Sequence, residues 1–247
     1  MLIEIFSDLI CPWCYLGWHR LDLALAQRPG LRAETRWLPF QLNPDMPAGG
    51  MDRFFYLAHR FGSLERARQL FAAVEQAAAQ DGLPLHLGRI RRTPSTLEAH
   101  ALVLLAERYG RAVQVAKALF RAYFVDGMDI GNRGVLIAVA GACGLDRTAV
   151  ARHLETGEDA ATVRASDARA RSLGIQAVPC FIFNRQYGLA GAQEPAALLP
   201  LLDLAGVDAD PAASSPAATG GLETDIQEAG ESETEGRRTD RALGLTG

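Results

Sequence analysis

The sequence contains no apolar run long enough to cross a bilayer. Its first residues include no basic segment, and Glu4 and Asp8 interrupt the stretch that could otherwise form the core of a secretion signal. These absences lead us to expect a cytoplasmic protein with no membrane partner. A strong excess of charge is also missing: a formal net charge of −4 gives no reason to expect nucleic acid or an anionic surface as the main partner. The histidines at positions 19, 59, 86, 100 and 153 are scattered, and there is no second close Cys or His pair to complete a metal site. We expect no bound metal or cofactor. Gly49-Gly50 and Gly220-Gly221 lack the strand-to-helix context of a phosphate loop.

What is present is a chain of 247 residues, 49% hydrophobic and 22% charged, which can bury a sizeable core. It has four cysteines, in a compartment where structural disulfides are rare. Two of them form Cys11-Pro12-Trp13-Cys14, after the short apolar run 2–6 and ahead of a helical stretch. At a helix start the unpaired backbone N–H groups and the positive end of the dipole favour a thiolate. Pro12 suits the first helical turn, where its missing N–H has no partner to lose. The spacing brings both sulfurs within bonding reach and reads as a thioredoxin-like redox motif. Cys11, the more exposed, would attack a substrate disulfide, and Cys14 would resolve the mixed disulfide. Cys143 reads as core. Cys180 follows Pro179 and could act as a third thiol, but the apolar strand around it favours a buried side chain.

Element order supplies the frame. Residues 2–7 read as a buried strand, 14–28 as a helix ended by Pro29-Gly30, and 31–42 as a second strand, giving β-α-β with the dithiol at the carboxyl end of the first strand. From 51 to 173 the pattern is helical. Helices are predicted over 64–80 (capped by Ser63), 95–109 (opened by a capping box, Ser95-Thr96-Leu97-Glu98), 111–125, 133–143, 147–155 (capped by Asp146) and 159–173. A strand over 180–184, a hairpin partner over 186–189 and a helix over 194–205 close the pattern as β-β-α. The fold class is α/β, a thioredoxin fold with a large all-helical insertion. Residues 1–50 and 174–206 form the thioredoxin-like domain and 51–173 the insertion. Residues 207–247 carry nine acidic residues against three arginines, in a background of small and polar residues. They read as a disordered acidic tail.

Val178-Pro179 is the second chemical element. A proline just before a centrally paired strand implies a cis bond or a tight turn. In a thioredoxin fold this loop lies beside the dithiol, and a cis-proline keeps the Val178 backbone free to pair with an extended substrate. Pro12, Trp13, Val178 and Pro179 are the expected substrate-contacting residues. If the insertion roofs the dithiol, His100, Arg91 and Arg92 could meet a glutathione carboxylate, although a lone helical histidine is more often structural.

Asp8 to Gly17, written DLICPWCYLG, resembles the DsbA-family oxidoreductases of the FrnE-like type. The match extends through Pro39-Phe40-Gln41-Leu42-Asn43-Pro44, Ala99-His100, Gly174-Ile175-Gln176-Ala177-Val178-Pro179 and Gly191-Ala192-Gln193. The resemblance implies a nucleophile at Cys11, a resolving thiol at Cys14 and a cis-proline at Pro179. It also implies disulfide-containing proteins or small molecules as substrates, with glutathione or a thioredoxin system recycling the dithiol. The same superfamily holds kappa-class glutathione transferases and 2-hydroxychromene-2-carboxylate isomerases, which generally have serine at the position of Cys11. A glutathione-dependent isomerase or transferase and a non-enzymatic partner-binding module stay open as alternatives. Two departures bear on potency. Ile5 stands where a buried acid beneath the second cysteine would be expected, with Glu4 and Asp8 close by. Pro-Trp also replaces the dipeptide of the strongly oxidising relatives, which moves the expected potential from roughly −120 mV toward roughly −200 mV.

Overall fold

Leu2–Ser7 is apolar and β-branched at alternate positions, and it forms β1, a central strand of a four-stranded sheet. The computed structural model describes residues 1–208. In the sheet order β2-β1-β5-β6, β1 runs parallel to β2 (Glu34–Pro39) and antiparallel to β5 (Cys180–Phe183), with Ile5 opposite both Trp37 and Phe181. β5 turns back into β6 (Tyr187–Ala190) through the three-residue loop 184–186, in which Asn184 and Arg185 both have positive φ and the Gln186 amide donates to the Phe183 carbonyl at 2.9 Å. Asn184 holds the corner by accepting from the Leu2 amide at 2.9 Å and donating to the Ala205 carbonyl at 2.8 Å.

Helix α1 (Pro12–Ala26) leaves the end of β1 and packs on α9 (Pro195–Asp208), the last helix among the described residues. Between β2 and β5 lies the helical insertion: α2 (Arg53–Phe61), α3 (Leu64–Gln80), α4 (Leu97–Glu107), α5 (Ala112–Phe124), α6 (Arg133–Ala142), α7 (Arg147–Thr156) and α8 (Ala160–Ser172). α4 is apolar almost all the way round and is accordingly surrounded by α5, α6, α7 and α8. α5 and α8 also meet β2, and one buried apolar cluster runs through sheet and insertion alike. An aromatic column ties the two together. Tyr15 stacks on Phe120 and Phe124, and Trp37 contacts Trp18, Phe120 and His100. Among the described residues, no helix is long and apolar enough to cross a membrane.

The structure departs from the sequence reading in several places. A helix forms over Arg53–Phe61 where none is expected, capped by Asp52, whose carboxylate accepts from the Phe54 and Phe55 amides. A two-residue ladder pairs β3 (Met51–Asp52) with β4 (Arg92–Thr93), so the insertion contains a small ribbon as well as helices. The capping box at Ser95 does not form. Thr96 is the residue before α4 and makes no side-chain cap, and Glu98, the other half of the box, is drawn into a two-pronged ion pair with Arg133. The caps at Ser63 and Asp146 are present, at 3.1 and 2.7 Å from the Arg66 and Ala149 amides. The second strand is shorter than 31–42, and the expected disordered tail lies, from 209 onward, outside the described residues.

Candidate active site

β1 ends at Ser7, and a tight turn in which the Cys11 amide donates to the Asp8 carbonyl delivers the chain to α1. Cys11 is the residue before that helix; its carbonyl accepts from the amides of Cys14 and Tyr15, while Pro12 occupies the first helical position. Both cysteines are free thiols. Cys11 retains 5% exposure and Cys14 none, so only the first can meet a substrate without opening the fold. Trp13 is the exposed residue of the motif.

The Val178–Pro179 peptide bond is cis, and the structure brings this loop against the dithiol. The Cys11 thiol donates to the Val178 carbonyl across 3.6 Å. The Pro179 ring sits over Gly17, one turn beyond Cys14: a Cβ at residue 17 would lie 2.8 Å from Pro179 Cγ and 3.2 Å from Phe181 Cζ. Gly17 is therefore what permits this close approach, and its place one turn after the second cysteine was the available signal. The loop is held from behind by the Gly191 amide, which donates to the Pro179 carbonyl at 2.8 Å. Arg20, buried on α1, reaches Asp81 and the Ala192 carbonyl and pairs with Glu194, fixing the same corner.

Burial pushes the Cys14 thiol well above its ordinary range, reinforced by its hydrogen bond and charge interaction with Cys11. The Ser7 hydroxyl and the Asp8 backbone amide pull weakly the other way. The enclosed Cys14 thiol is therefore held in its protonated form.

Position 5 carries no acid, and of the nearby Glu4 and Asp8 it is Asp8 that is fully enclosed. Its side chain is fully buried and accepts from the Leu42 amide at 2.7 Å and, more loosely, from the Ile10 amide at 3.5 Å. His100 lies 3.4 Å from the same carboxylate. The Trp37 indole N–H can only donate and points at His100 Nδ1 across 3.3 Å, so the ring proton sits on Nε2, facing the Phe40 carbonyl at 3.1 Å and Asp8. His100 is thus a buried brace between α4, β2 and the dithiol turn rather than a ligand for an approaching carboxylate. Arg92 braces Gly49 and sits near Asp129, while Glu4 faces Arg185. Cys180 is half-buried in the sheet between Phe6 and Ala190, and burial raises its thiol; Cys143 is buried in the insertion.

Residues 2–203 match the DSBA-like thioredoxin domain. The chain belongs to that family. A DSBA-like neighbour, the probable DsbA oxidoreductase SCO1869 from Streptomyces coelicolor, is 32% identical, with a TM-score of 0.76 over 85% of this chain and 92% of that one. The uncharacterized protein YwbO of Bacillus subtilis is 25% identical over 183 residues, covering 74% of this chain and 86% of its own. The cytosolic disulfide reductase DsbM from Pseudomonas aeruginosa, solved with GSH, shares the fold at 21% identity and a TM-score of 0.56, over 84% of this chain and 96% of that one. The DSBA-like frame accounts for the dithiol turn and the facing Pro179 loop as parts of one redox fold.

Proposed function

We propose that this DSBA-like protein is a thiol–disulfide oxidoreductase in which Cys11 is the nucleophile and Cys14 the resolving thiol. The observation that carries the reading is the placement of Cys11 at the start of α1, with its sulfur facing the Val178 carbonyl and the Cys14 thiol behind it. The Cys11 thiolate attacks one sulfur of a substrate disulfide; that S–S bond breaks and the departing thiolate takes up a proton. Cys14 then loses its proton and attacks Cys11 Sγ, releasing the second substrate thiol. The substrate gains two electrons, and the enzyme is left with a Cys11–Cys14 disulfide. Two molecules of glutathione, or a thioredoxin-type dithiol, restore it. Pro12, Trp13 and the Val178–Pro179 backbone form the groove in which an extended disulfide-bearing segment lies. Cytoplasmic placement and a net reductive direction fit the likeness to DsbM, a cytosolic disulfide reductase.

The test is insulin reduction by dithiothreitol. The full chain is expected to accelerate it and Cys11→Ser to fall to the uncatalysed rate; equal rates for the two would remove the reading. Cys14→Ala should accumulate mixed disulfides with its substrates on Cys11, because the resolving step is lost.

A further inference from the structure

Arg53 is out of keeping with the rest of the charged residues. It opens α2 yet is only 6% exposed. Its Nη1 donates to Thr93 Oγ1 at 3.1 Å, and its guanidinium carbon lies 5.4 Å from the centre of the Phe71 ring. Among the described residues no carboxylate comes within ion-pairing distance of it. Buried charges are ordinarily paired, so the missing partner needs an account. The arginine lines a cavity of about 230 Å³ between α2, α3 and the turn at residues 87–90, whose walls include Leu57, Leu64, Phe71 and Ile90. Arg68, paired with Glu65 at 3.4 Å, and Glu75 are both exposed and stand at the rim, so Arg53 is the buried charge of the lining. Burial holds the nearby Tyr123 phenol far above its ordinary range, and the Arg53 charge draws it part of the way back.

We propose that this cavity binds a small organic acid with an apolar body, its carboxylate paired with Arg53 and its ring or short acyl chain against Leu57, Leu64 and Phe71. The planar guanidinium matches a carboxylate in two-pronged geometry, and it already lies over the Phe71 ring. The volume lies below the range of drug-sized sites, which selects a single ring or short chain. Nothing in this proposal uses the dithiol, so it stands or falls apart from the redox reading.

The probe is 4-phenylbutyrate, titrated calorimetrically into the full chain, with 4-phenyl-1-butanol as its uncharged counterpart. The acid should bind saturably at millimolar concentration or below, and the alcohol about tenfold more weakly or worse, since hydrogen bonds to a charged group are the stronger ones. Arg53→Lys should weaken the acid about tenfold, because the fork geometry is lost while the charge stays. Leu57→Trp fills the cavity from the α2 side without touching Arg53 and should abolish binding; its melting temperature checks that the fold is intact. Equal affinities for acid and alcohol, retention of binding by Leu57→Trp, or no saturable binding of the acid would each overturn the proposal.

Discussion

Asp8, at the dithiol turn, and Arg53, at the α2–α3 corner, are both buried charged residues, and the two regions treat them in opposite ways. Asp8 is fully enclosed and draws the Leu42 amide, the Ile10 amide and His100 onto one carboxylate. Those contacts reach the segment after β2, α4 and the turn that carries Cys11. Arg53 has one hydroxyl and one ring. A charge with its hydrogen-bonding positions filled fixes geometry; one with positions to spare keeps capacity for a ligand. The frame around the cysteines is built for the first purpose and the insertion corner for the second.

This contrast can be broken in several ways. The largest effect should come from Asp8→Ala, which strands two amides in a dry interior and takes a second partner from His100; about 3 kcal/mol of stability should be lost in urea denaturation. Arg53→Lys, with fewer partners to strand, should lose about 1 kcal/mol, and comparable losses for the two would erase the distinction. Next comes Gly17→Ala, which forces Pro179 away from α1. It should cost about 2 kcal/mol and slow insulin reduction, whereas Gly88→Ala in the insertion, where a Cβ meets nothing within 4 Å, should change stability by less than about 0.5 kcal/mol. Ser63→Ala removes a local cap on α3 and should cost about 1 kcal/mol without altering exchange activity.

The smallest effect, absent at neutral pH, is alkaline. Burial raises the thiols of Cys14, Cys143 and Cys180 and the phenols of Tyr15 and Tyr123. Above their ordinary values the unfolded chain therefore binds fewer protons than the folded one. Their contribution to stability is complete below about pH 8.5 and is lost progressively as pH rises through the folded-state values. Melting temperature should decline above that pH, and Cys14→Ala should make the decline shallower; an unchanged slope would show that Cys14 carries none of it.

Much of the frame was legible because its signals are local. A dithiol at a strand-to-helix junction, a Val-Pro before a short apolar strand and the order of elements all lie within a few residues of what they determine. Asp8 was visible, but its partner is 92 positions away on α4, and a single histidine in an apolar helix has no spacing pattern to announce that it faces a carboxylate. The capping box misled because Glu98 fits the local rule while Arg133 offers it a better partner across the fold. α2 escaped because its nine residues carry aromatics that stay exposed, Phe54 and Phe55 among them, so no buried stripe marks it. Arg53 belongs to that same unannounced helix, which is why the cavity beside it had no trace in the sequence.

The position of β5 carries one more implication. It slots between β1 and β6, although the insertion separates it from β1 in the chain. On a ribosome adding about 5 to 20 residues per second, one edge of β1 waits roughly ten to thirty seconds for the strand that will cover it. During that interval the reactive pair is already made, but the loop that will face it does not yet exist. The nascent protein thus passes through a stage with an open strand edge beside two unguarded thiols.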